Sequence, residues 1–596
     1  MLRRDFLKTT AAAAVLQGIS LKGLRAFAAG FRRARPSDAA WPKAASWRKL
    51  SDAVGGNLIK VQSLLAPCEA DAKSAACSDV LKNLRNPFYL GDQPGGTEVS
   101  GWWNAWIPAP RAYAVHARNA SDVAAGVNFA RENNLRLVVK GTGHSYLGTS
   151  NAPDSLLIWT RGMNKVVLHN AFVGQGCEGK IASEPAVTAE AGAVWIDLYT
   201  AVTTKAGRYV QGGGCTDVGV AGLVQSGGFG SFSKAFGTAA SGLLEAEIVT
   251  ADGEIRIANA CTNPDLFWAL KGGGGGSWGV VTKLTLRTHD LPSHFGSAWG
   301  TIKAKSDDAF RKLIARFIGV YAAHLINPHW GEQILIHPDN SFEISMVCQG
   351  LDTPRMQAVW RPFQNWVASQ ADLTVIDKLG ARAVPSAQHW WDVEGNPSMT
   401  PDTRAGAPNY HGWWKGDQDE VGMFLHGYES LWLPAALLQE NRQAQLVNAL
   451  FAASRYKIVR LHINKGLAGA PDEAITLAKD TATNPAVTEA FTLVIIADGE
   501  APAYPGMPGA KIDQGAARKD ARLIDLATAE LFKVAPNAGS YVSESNYFNP
   551  RWQDAYWGGN YPRLQAVKAK YDPEGLFFVY HGVGSERWSA DGFARI

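Results

Sequence analysis

The chain has 596 residues, 46% of them apolar, and a formal net charge of +4 at pH 7. This length and apolar content indicate a globular protein of two or three domains. The first 28 residues hold five basic side chains and one acidic one, so they account for the whole net charge. The rest is close to neutral, which gives no electrostatic argument for nucleic acid or an anionic membrane as a partner.

The N-terminal segment has the composition of an export signal. It reads "MLRRDFLKTTAAAAVLQGISLKGLRAFA", with a basic start, a short apolar stretch and an Ala-Phe-Ala cleavage sequence. Arg3 and Arg4, followed by Asp-Phe-Leu-Lys, resemble the twin-arginine signal of proteins exported already folded. A membrane anchor is disfavoured because the segment has no run of the ~18–20 apolar residues that span a bilayer. We therefore predict a signal peptide over residues 1–28, a periplasmic or secreted protein, and no membrane contact after cleavage.

Residues 29–104 are mixed in polarity and rich in turns, so we predict a partly irregular N-terminal lead-in, with order beginning after Trp106. From residue 105 to residue 290, helical and strand patterns alternate. The stretch "NASDVAAGVNFARENNLRLVVKGTG" predicts a helix capped by Ser121, followed by a strand over residues 135–139. This alternation predicts an α+β domain.

Residues 291–537 have longer helical stretches, such as "SDDAFRKLIARFIGVYAAHL", between the strand candidates "EQILIHP", "SFEISMVC" and "EAFTLVIIAD". A second α+β domain is the simplest interpretation. Residues 538–596 are rich in aromatic residues and turns but show no core of their own. We therefore expect this tail to pack on another domain.

Six cysteines are present, and none belongs to a Cys-x-x-Cys pair or to a His/Cys spacing that suits zinc. We therefore predict no metal site. In an oxidising compartment Cys68 is close enough in sequence to bridge Cys77, and Cys177 could pair with Cys261, but sequence does not decide the pairing. Cys215 stands apart because it lies within a glycine-rich run.

Glycine clusters occur three times in the first half of the chain: "GTGHSYLG", "QGGGCTDVGVAGLVQSGGFG" and "KGGGGGSWG". Such runs let backbone amides approach a phosphate, although a single one is more often a tight turn. The first has Tyr146 where a dinucleotide fingerprint needs Gly or Ala, and the third lacks the Gly-Lys-Ser/Thr ending of a P-loop. A Rossmann fold and an NTPase are therefore disfavoured. The three clusters together, one with His144 and one with Cys215, favour an extended cofactor that carries phosphate.

Residues 275–279 match the G-x-S-x-G motif of serine hydrolases, with Ser277 as the candidate nucleophile. That motif has to join a strand to a helix. Here the preceding "PDLFWALKG" has a helical pattern and the following "VVTKLTL" a strand pattern, which is the reverse order. The hydrolase interpretation is therefore disfavoured.

Five segments give the chain a family resemblance. They are "VVKGTGHSYLG", "VQGGGCTDVGVAGLVQSGGFG", "LEAEIVTADGE", "NPDLFWALKGGGGGSWGVVTKLTL" and "WGGNYPRLQAVKAKYDPEGLFFVYHG". In this order they resemble the berberine-bridge-enzyme-like FAD-linked oxidases, a branch of the vanillyl-alcohol-oxidase family, over about residues 105–290 and 540–585. The resemblance implies an α+β PCMH-type FAD-binding fold of two domains. An FAD-binding domain (105–290) is followed by an inserted substrate domain (291–537) and a C-terminal segment (538–596) that returns to the first domain.

The resemblance also implies a flavin held by two covalent bonds. In doubly tethered members a histidine of the "GHS" segment binds the flavin 8α-methyl carbon and a cysteine binds flavin C6; the matching residues are His144 and Cys215. Imidazole and thiolate are nucleophilic enough to add to an electron-poor ring. The other residues that the resemblance assigns to FAD binding are Gly141, Thr142, Gly143, Ser145, Gly219, Gly222, Ser226, Gly227, Gly228, Val249 and Asn560. Leu223 and Ala221 stand where relatives often have His and Gly, which leaves open how the charge of the reduced flavin is stabilised.

The activity implied is that of an FAD-dependent oxidase. It would transfer hydride from an alcohol, sugar or amine-type carbon of a small molecule to flavin N5, and then electrons to O2, giving H2O2. A dehydrogenase with another electron acceptor, and a flavin-binding electron-transfer protein without substrate turnover, remain alternatives. With its predicted signal, the chain is identified as a bacterial exported member of the family.

Tyr146 and Glu544 are the predicted catalytic residues, because both match the family's active-site segments and either could assist deprotonation. In the second domain Tyr428, His462 and Lys465 remain alternative bases. A set of tryptophans could form a stacking platform for a sugar or an aromatic ring, although such residues are more often core. These tryptophans are Trp390, Trp391, Trp413, Trp414, Trp552 and Trp557.

Overall fold

The N-terminal lead-in is ordered in the computed structural model, which describes residues 30–596; the predicted signal over residues 1–28 lies outside them. The lead-in elements are α1 (Ala44–Ala53), β1 (Leu58–Lys60), α2 (Ala66–Ala70), α3 (Ala75–Asn83), α4 (Pro87–Gly91) and β2 (Val99–Trp102). β1 joins a sheet of the first domain and β2 joins the large sheet of the second. The prediction that order begins after Trp106 is therefore wrong: these elements are too short to give a periodic pattern, and contacts with the two domains hold them.

Two larger sheets and one two-stranded pair form the first domain. Its elements are β3 (Tyr113–His116), α5 (Ala120–Glu132), β4 (Leu137–Lys140), β5 (Leu156–Trp159), β6 (Val166–Phe172), β7 (Glu184–Glu190), α6 (Trp195–Tyr199), β8 (Arg208–Tyr209), α7 (Val220–Gln225), α8 (Ser233–Phe236), β9 (Leu243–Val249), β10 (Ile255–Asn259), α9 (Pro264–Leu270), β11 (Val280–Arg287) and β12 (His289–Asp290). One larger sheet has the order β1-β3-β5-β4 and the other β10-β9-β11-β7-β6, and β8 pairs with β12. β5 pairs in parallel with β3 and β4, whereas the second sheet is antiparallel.

The helix α5 shows how the sequence directs this domain. Val123, Val127 and Ala130 recur at helical spacing and are fully buried. The predicted cap was Ser121, but Asn119 caps the helix instead: its side-chain oxygen accepts a hydrogen bond from the Asp122 amide at 3.0 Å. Both residue types are good caps, and Asn119 is the one that has extended backbone at the helix start.

The second domain is built on one eight-stranded sheet of order β16-β13-β15-β14-β20-β21-β19-β2. Its elements are β13 (Phe295–Ala304), α10 (Asp307–Val320), β14 (Trp330–Ile336), β15 (Ser341–Gln349), α11 (Thr353–Ser369), β16 (Leu373–Ala383), β17 (Met399–Pro401), β18 (Gly412–Trp414), β19 (Gly422–Pro434), α12 (Glu440–Ser454), β20 (Val459–His462), α13 (Asp472–Lys479), β21 (Ala490–Glu500) and α14 (Gln514–Phe532). α10, β14, β15 and β21 lie where the sequence predicts a helix and three strands. Apolar residues of the sheet and of α10, α11, α12 and α14 form one buried core.

The tail packs on the first domain. It contains α15 (Trp552–Trp557) and α16 (Tyr561–Tyr571). Trp557 and Leu564 belong to the same buried cluster as Leu270 and Trp278 of the first domain. The indole N–H of Trp557 also donates to the carbonyl of Gly272 at 3.0 Å. The tail therefore shares the first domain's core.

Two disulfides are formed, Cys68–Cys77 and Cys177–Cys261. They are the two pairings that sequence allowed but could not decide. Cys215 and Cys348 are free thiols. Among residues 30–596, no helix combines the length and the apolar character needed to cross a membrane.

Glu429 of β19 carries a carboxyl group that should make stability depend on pH. Its two oxygens accept hydrogen bonds from the Ser430 amide and the Asn546 side chain. Burial raises its pKa from 4.5 to about 7, so the folded state binds a proton more tightly than the unfolded chain. The free energy of unfolding should therefore fall by up to about 3 kcal/mol as pH rises through this interval.

Urea denaturation of wild type and Glu429→Gln between pH 4 and pH 8 checks this effect, because Gln resembles the protonated carboxyl group and does not titrate. The wild type should lose more stability than the variant as pH rises. Parallel pH profiles would contradict the prediction.

Candidate active site

A cavity of about 670 Å³ lies between the two domains. The loop after β4, residues 141–147, lines it from the first domain. Glu332 of β14, Tyr428 of β19 and His462 of β20 line it from the second, and Glu544 lines it from the tail. All three parts of the chain therefore contribute to one site, the arrangement in which ligand sites often occur.

The glycine clusters of the sequence meet at this cavity. Gly143 has a φ of +87°, and a Cβ there would lie 2.7 Å from Cε of Lys140, so glycine is needed where the loop turns. A Cβ on Gly275 would lie 3.9 Å from the Cα of Gly222, which shows how closely the second and third clusters approach. A Cβ on Gly222 would meet no described atom within 4 Å, so the backbone here borders open space in the cavity.

Most of the predicted site residues line the cavity. They are Gly141, Thr142, Gly143, His144, Ser145, Tyr146, Cys215, Gly219, Gly222, Ser226 and Glu544. Gly227 and Gly228 lie beside the cavity, where their φ angles of +107° and +75° turn the chain. Val249 is buried in β9, and the Asn560 side chain donates to a backbone carbonyl, that of Thr483, at 2.8 Å. The structure does not bring these last four residues into the lining.

Unpaired polar atoms along the cavity indicate what it holds. The Ser150 and Ser277 hydroxyls and the Gln225 side-chain oxygen are buried and have no hydrogen-bond partner within residues 30–596. Buried polar groups in folded proteins are almost always paired. A ligand with polar groups along its length, such as the predicted FAD with its pyrophosphate and ribityl chain, therefore fits this lining.

His144 lies beside two buried carboxyl groups. Its Nε2 is 4.0 Å from Oδ2 of Asp217. Glu98 completes the group, in which the three side-chain ligand atoms lie within 4.8 Å of one another. Burial raises the pKa of both carboxyl groups, and His144 opposes the rise at Asp217. The sequence predicted no metal site here, and spacing could not reveal this cluster because its members come from three separate segments.

Cys215 is a free thiol in the cavity wall. Asp417, a residue of the second domain, also lines this cavity and is the charged side chain that acts most strongly on the thiol. Burial, and after it the nearby carboxylates of Asp417 and Asp217, raise the pKa of the thiol well above its usual value. Cys215 is therefore protonated at neutral pH and becomes a nucleophile only when a base takes its proton.

Tyr146 joins the first domain to the second. Its ring is 5.9 Å from the His144 ring and stacks on Tyr428 with centroids 5.1 Å apart. Its hydroxyl donates to Oε2 of Glu420 at 3.1 Å. Burial, and then Glu420, raise the pKa of Tyr146 well above its usual value, so the phenol is neutral at physiological pH. It can take up a proton only while it gives its own to Glu420.

Glu544 is held by an ion pair. Lys465 Nζ lies 2.5 Å from its Oε2, and the two side chains are 11% and 19% exposed, lysine first. Of the alternative bases, Lys465 is therefore occupied as the partner of Glu544. Burial lowers the pKa of His462 well below its usual value and raises that of Tyr428 well above it. Both are neutral at physiological pH.

Glu332 was not found from the sequence. It has a left-handed backbone with a φ of +61°, which is rare for a residue with a side chain and concentrates at functional sites. Its carboxylate accepts a hydrogen bond from Ser231, and burial raises its pKa. The preceding Gly331 lies so close to Ser231 that a Cβ would be 1.8 Å from the Ser231 carbonyl oxygen. The regular strand pattern of β14 gave no signal of this distortion.

The tryptophan set divides between cavity and core. Trp390 and Trp414 line the cavity, and the Trp414 indole donates to the Gly214 carbonyl beside Cys215 at 3.1 Å. Trp557 also borders it. Trp391, Trp413 and Trp552 belong to the buried core. Two tryptophans of the second domain, rather than the whole predicted set, are available to contact a ligand.

Ser277 has the wrong setting for a hydrolase nucleophile. α9 ends at Leu270 before the motif and β11 begins at Val280 after it. The order is helix, motif and strand, the reverse of what the nucleophile turn requires. The sequence-based rejection of a serine hydrolase therefore agrees with the structure.

Comparison with known proteins identifies relatives along nearly the whole chain. Residues 110–259 match the family model of the FAD binding domain, and residues 540–584 match the model described as berberine and berberine like. The chain is 30% identical to the FAD-linked oxidoreductase malF of Malbranchea aurantiaca, over 94% of this chain and 93% of malF. The crystal structure of the VAO-type flavoprotein MtVAO615 from Myceliophthora thermophila C1 matches with a TM-score of 0.77 and 25% identity, over 95% of this chain and 100% of that one.

A more distant structure has the same fold. The glucooligosaccharide oxidase of Acremonium strictum, a protein described with a 6-S-cysteinyl, 8α-N1-histidyl FAD, matches with a TM-score of 0.62 and 20% identity. The match covers 82% of this chain and 94% of that one. The α+β, PCMH-type two-domain fold predicted from the sequence is thereby confirmed.

Proposed function

Because the chain belongs to the berberine-bridge-enzyme-like FAD-linked oxidoreductases of the vanillyl-alcohol-oxidase family, we propose that it is an oxidase with FAD attached to both His144 and Cys215. Membership makes the protein an FAD-dependent oxidoreductase. The observation that carries the finer proposal is that these two nucleophiles, from different glycine clusters, line one cavity. The substrate is a small molecule with an alcohol, sugar or amine-type carbon, and O2 is the electron acceptor.

The residues of the chain divide the work. When bound, FAD would supply the acceptor for the substrate's hydride and the donor of electrons to O2. The backbone of residues 141–145, which lines the cavity, would hold the pyrophosphate. Tyr146 takes the proton from the substrate hydroxyl or amine and gives its own to Glu420. Glu544, fixed by Lys465, binds a polar group of the substrate.

Acid denaturation tests the attachment. In the wild type, flavin should stay with the precipitated chain, and it should also stay in His144→Ala and in Cys215→Ala, because each keeps one bond. The double variant should release all of its flavin into the supernatant. Each precipitate is digested with a protease, and mass spectrometry of the flavin-bearing peptide assigns each bond to its residue. Complete release of flavin from the wild type would contradict the proposal.

The electron acceptor is tested on the same preparations. An oxidase forms peroxide with its substrate under air, whereas a dehydrogenase reduces only an added acceptor. Anaerobic bleaching of the flavin by a substrate separates both enzymes from a flavin-binding electron-transfer protein. Stoichiometric peroxide under air is the result that we expect.

We further propose export through the twin-arginine signal of residues 1–28, with cofactor insertion before export. What supports this is the leader sequence itself, with Arg3 and Arg4 before a short apolar stretch. The relatives described above from Malbranchea, Myceliophthora and Acremonium are fungal and lend no support to a bacterial source. The function requires neither nucleic acid nor a membrane as a partner.

A further inference from the structure

His144 and Cys215, the two nucleophiles in the cavity, each have a carboxylate of their own nearby. Neither carboxylate has a role in the oxidation of a substrate proposed above. We propose that Asp217 is the proton acceptor that lets His144 bond to the flavin, and that Asp417 is the proton acceptor for Cys215. This inference rests on the covalent attachment put forward under the proposed function. It assigns two residues, from two different domains, to two separate bond-forming steps.

Asp217, the proposed proton acceptor for His144, is buried. Oδ2 of Asp217, 4.0 Å from the imidazole Nε2, has no hydrogen-bond partner among the described residues. The Asp217 side chain is 5% exposed, so water cannot readily replace it as a base. Glu98 lies within 4.8 Å of it, and the two carboxyl groups disfavour a second negative charge, which favours proton uptake by the pair. Asp217 is thus placed to receive one proton.

Cys215 also needs a proton acceptor, and here the candidate is a different carboxylate, that of Asp417. The thiol is held in its protonated form by burial and by surrounding carboxylates, so attachment needs a base in contact with it. Asp417 is the candidate, because it lines the same cavity and is the charged group that acts most strongly on the thiol. Burial raises the pKa of Asp417 well above its usual value, and Glu420 adds to the rise. Oδ2 of Asp417 is buried and has no hydrogen-bond partner among the described residues, so this oxygen is open to receive the proton.

The chemistry balances with O2 as the oxidant. In each step the nucleophile forms one bond to a flavin carbon, at the 8α position for His144 nitrogen and at C6 for Cys215 sulfur. One proton leaves the nucleophile, to Asp217 or Asp417, and one leaves the carbon that is substituted. The electron pair left behind passes with two protons to O2, giving one H2O2 for each bond formed.

The two carboxylates differ in their place in the fold. Asp217 lies two residues after Cys215 in the first domain's glycine cluster, whereas Asp417 follows β18 of the second domain. The histidine bond therefore needs only groups of the first domain and the lead-in. The cysteine bond also needs Asp417 of the second domain. It should therefore form only after the two domains have packed together.

A crossed set of variants tests the pairing on the full chain, purified after expression with ordinary FAD supply. Asp217→Asn and Asp417→Asn are each placed in Cys215→Ala, where only the histidine bond can form, and in His144→Ala, where only the cysteine bond can form. The readout is the fraction of bound flavin that stays with the acid-precipitated chain after a fixed time. Peptide mass then identifies the attachment residue.

We expect at least a tenfold lower covalent fraction in Cys215→Ala/Asp217→Asn and in His144→Ala/Asp417→Asn, each relative to its single-tether parent. The two crossed pairings, Cys215→Ala/Asp417→Asn and His144→Ala/Asp217→Asn, are the matched controls and should keep their covalent flavin. Asp→Glu at either position should restore part of the loss, because it keeps the carboxylate.

Three results overturn the proposal. Full covalent attachment in both matched pairings would show that neither aspartate takes the proton. Loss in the matched and crossed pairings alike would make the aspartates structural residues of the whole site. Failure of Glu to restore any attachment where Asn abolishes it would exclude the carboxylate as the active group. If instead the wild type and both single-tether parents release all flavin in acid, the covalent attachment itself is wrong, which distinguishes the two claims.

Discussion

Tyr146→Phe is expected to lower kcat by about 10²–10⁴-fold while the flavin stays bound. Phe keeps the stacking on Tyr428 but lacks the hydroxyl that donates to Glu420. A phenol with a strongly raised pKa cannot store a negative charge, so proton transfer from the substrate has to run through Tyr146 to the carboxylate. Steady-state kinetics, with the rate of anaerobic flavin reduction, measure the loss at the chemical step.

Glu420→Gln provides the control for this proton path. It should lower kcat by a similar factor, and the Tyr146→Phe/Glu420→Gln double variant should be little worse than either single variant, because both remove one path. Independent, multiplying losses would show that the two groups act separately. An unchanged rate of flavin reduction in Tyr146→Phe would remove this residue from the proton path.

Lys465→Met is expected to lower the free energy of unfolding by about 3–5 kcal/mol, because it leaves the Glu544 carboxylate without its cation in a mostly buried site. Lys465 also counteracts the rise in the pKa of Glu332 that burial causes. Two carboxylates would therefore lose the same positive partner. Urea denaturation of the holoenzyme at neutral pH measures the effect.

The double variant Lys465→Met/Glu544→Gln is the matched control. It removes both charges and should recover most of the stability, since an uncompensated buried charge costs more than a missing ion pair. A single variant as stable as the wild type would mean that water solvates Glu544 as well as Lys465 does. A double variant no more stable than Lys465→Met would attribute the loss to packing of the lysine stem.

The glycine clusters were the strongest guide to the site because their backbone geometry is local. Gly143 needs its positive φ, and the sequence around it places His144 and Tyr146 on the same cavity wall. The same run also contains Gly227 and Gly228, which turn the chain next to the lining residue Ser226, and their predicted contact with the flavin stays a prediction. A motif predicts where the chain bends more securely than which residues face a ligand.

The carboxylates of the site could not be predicted in this way. Asp417 ends a single 3-10 turn, Lys415–Asp417, and Glu420 follows it, in a short connection between β18 and β19 that has no periodic pattern. Glu98 comes from the lead-in, whose short elements owe their order to long-range contacts. Asp217 offered the one available signal, since it lies two residues from Cys215 in the quoted cluster. Long-range assembly, rather than local pattern, sets the electrostatics of this cavity.

The lead-in strand β2 forms one edge of the second domain's sheet. Val99 of β2 pairs in parallel with Gly422 of β19, so the outer rung of the large sheet comes from the beginning of the chain. A chain cut at the predicted boundary of residue 291 would leave β19 as an open edge, a template for pairing with another copy of itself. During synthesis β2 cannot pair until β19 has been translated. This pairing between distant parts of the chain therefore forms late. Residues 99–102 therefore cover the edge of the second domain's sheet, although they precede the first domain in the sequence.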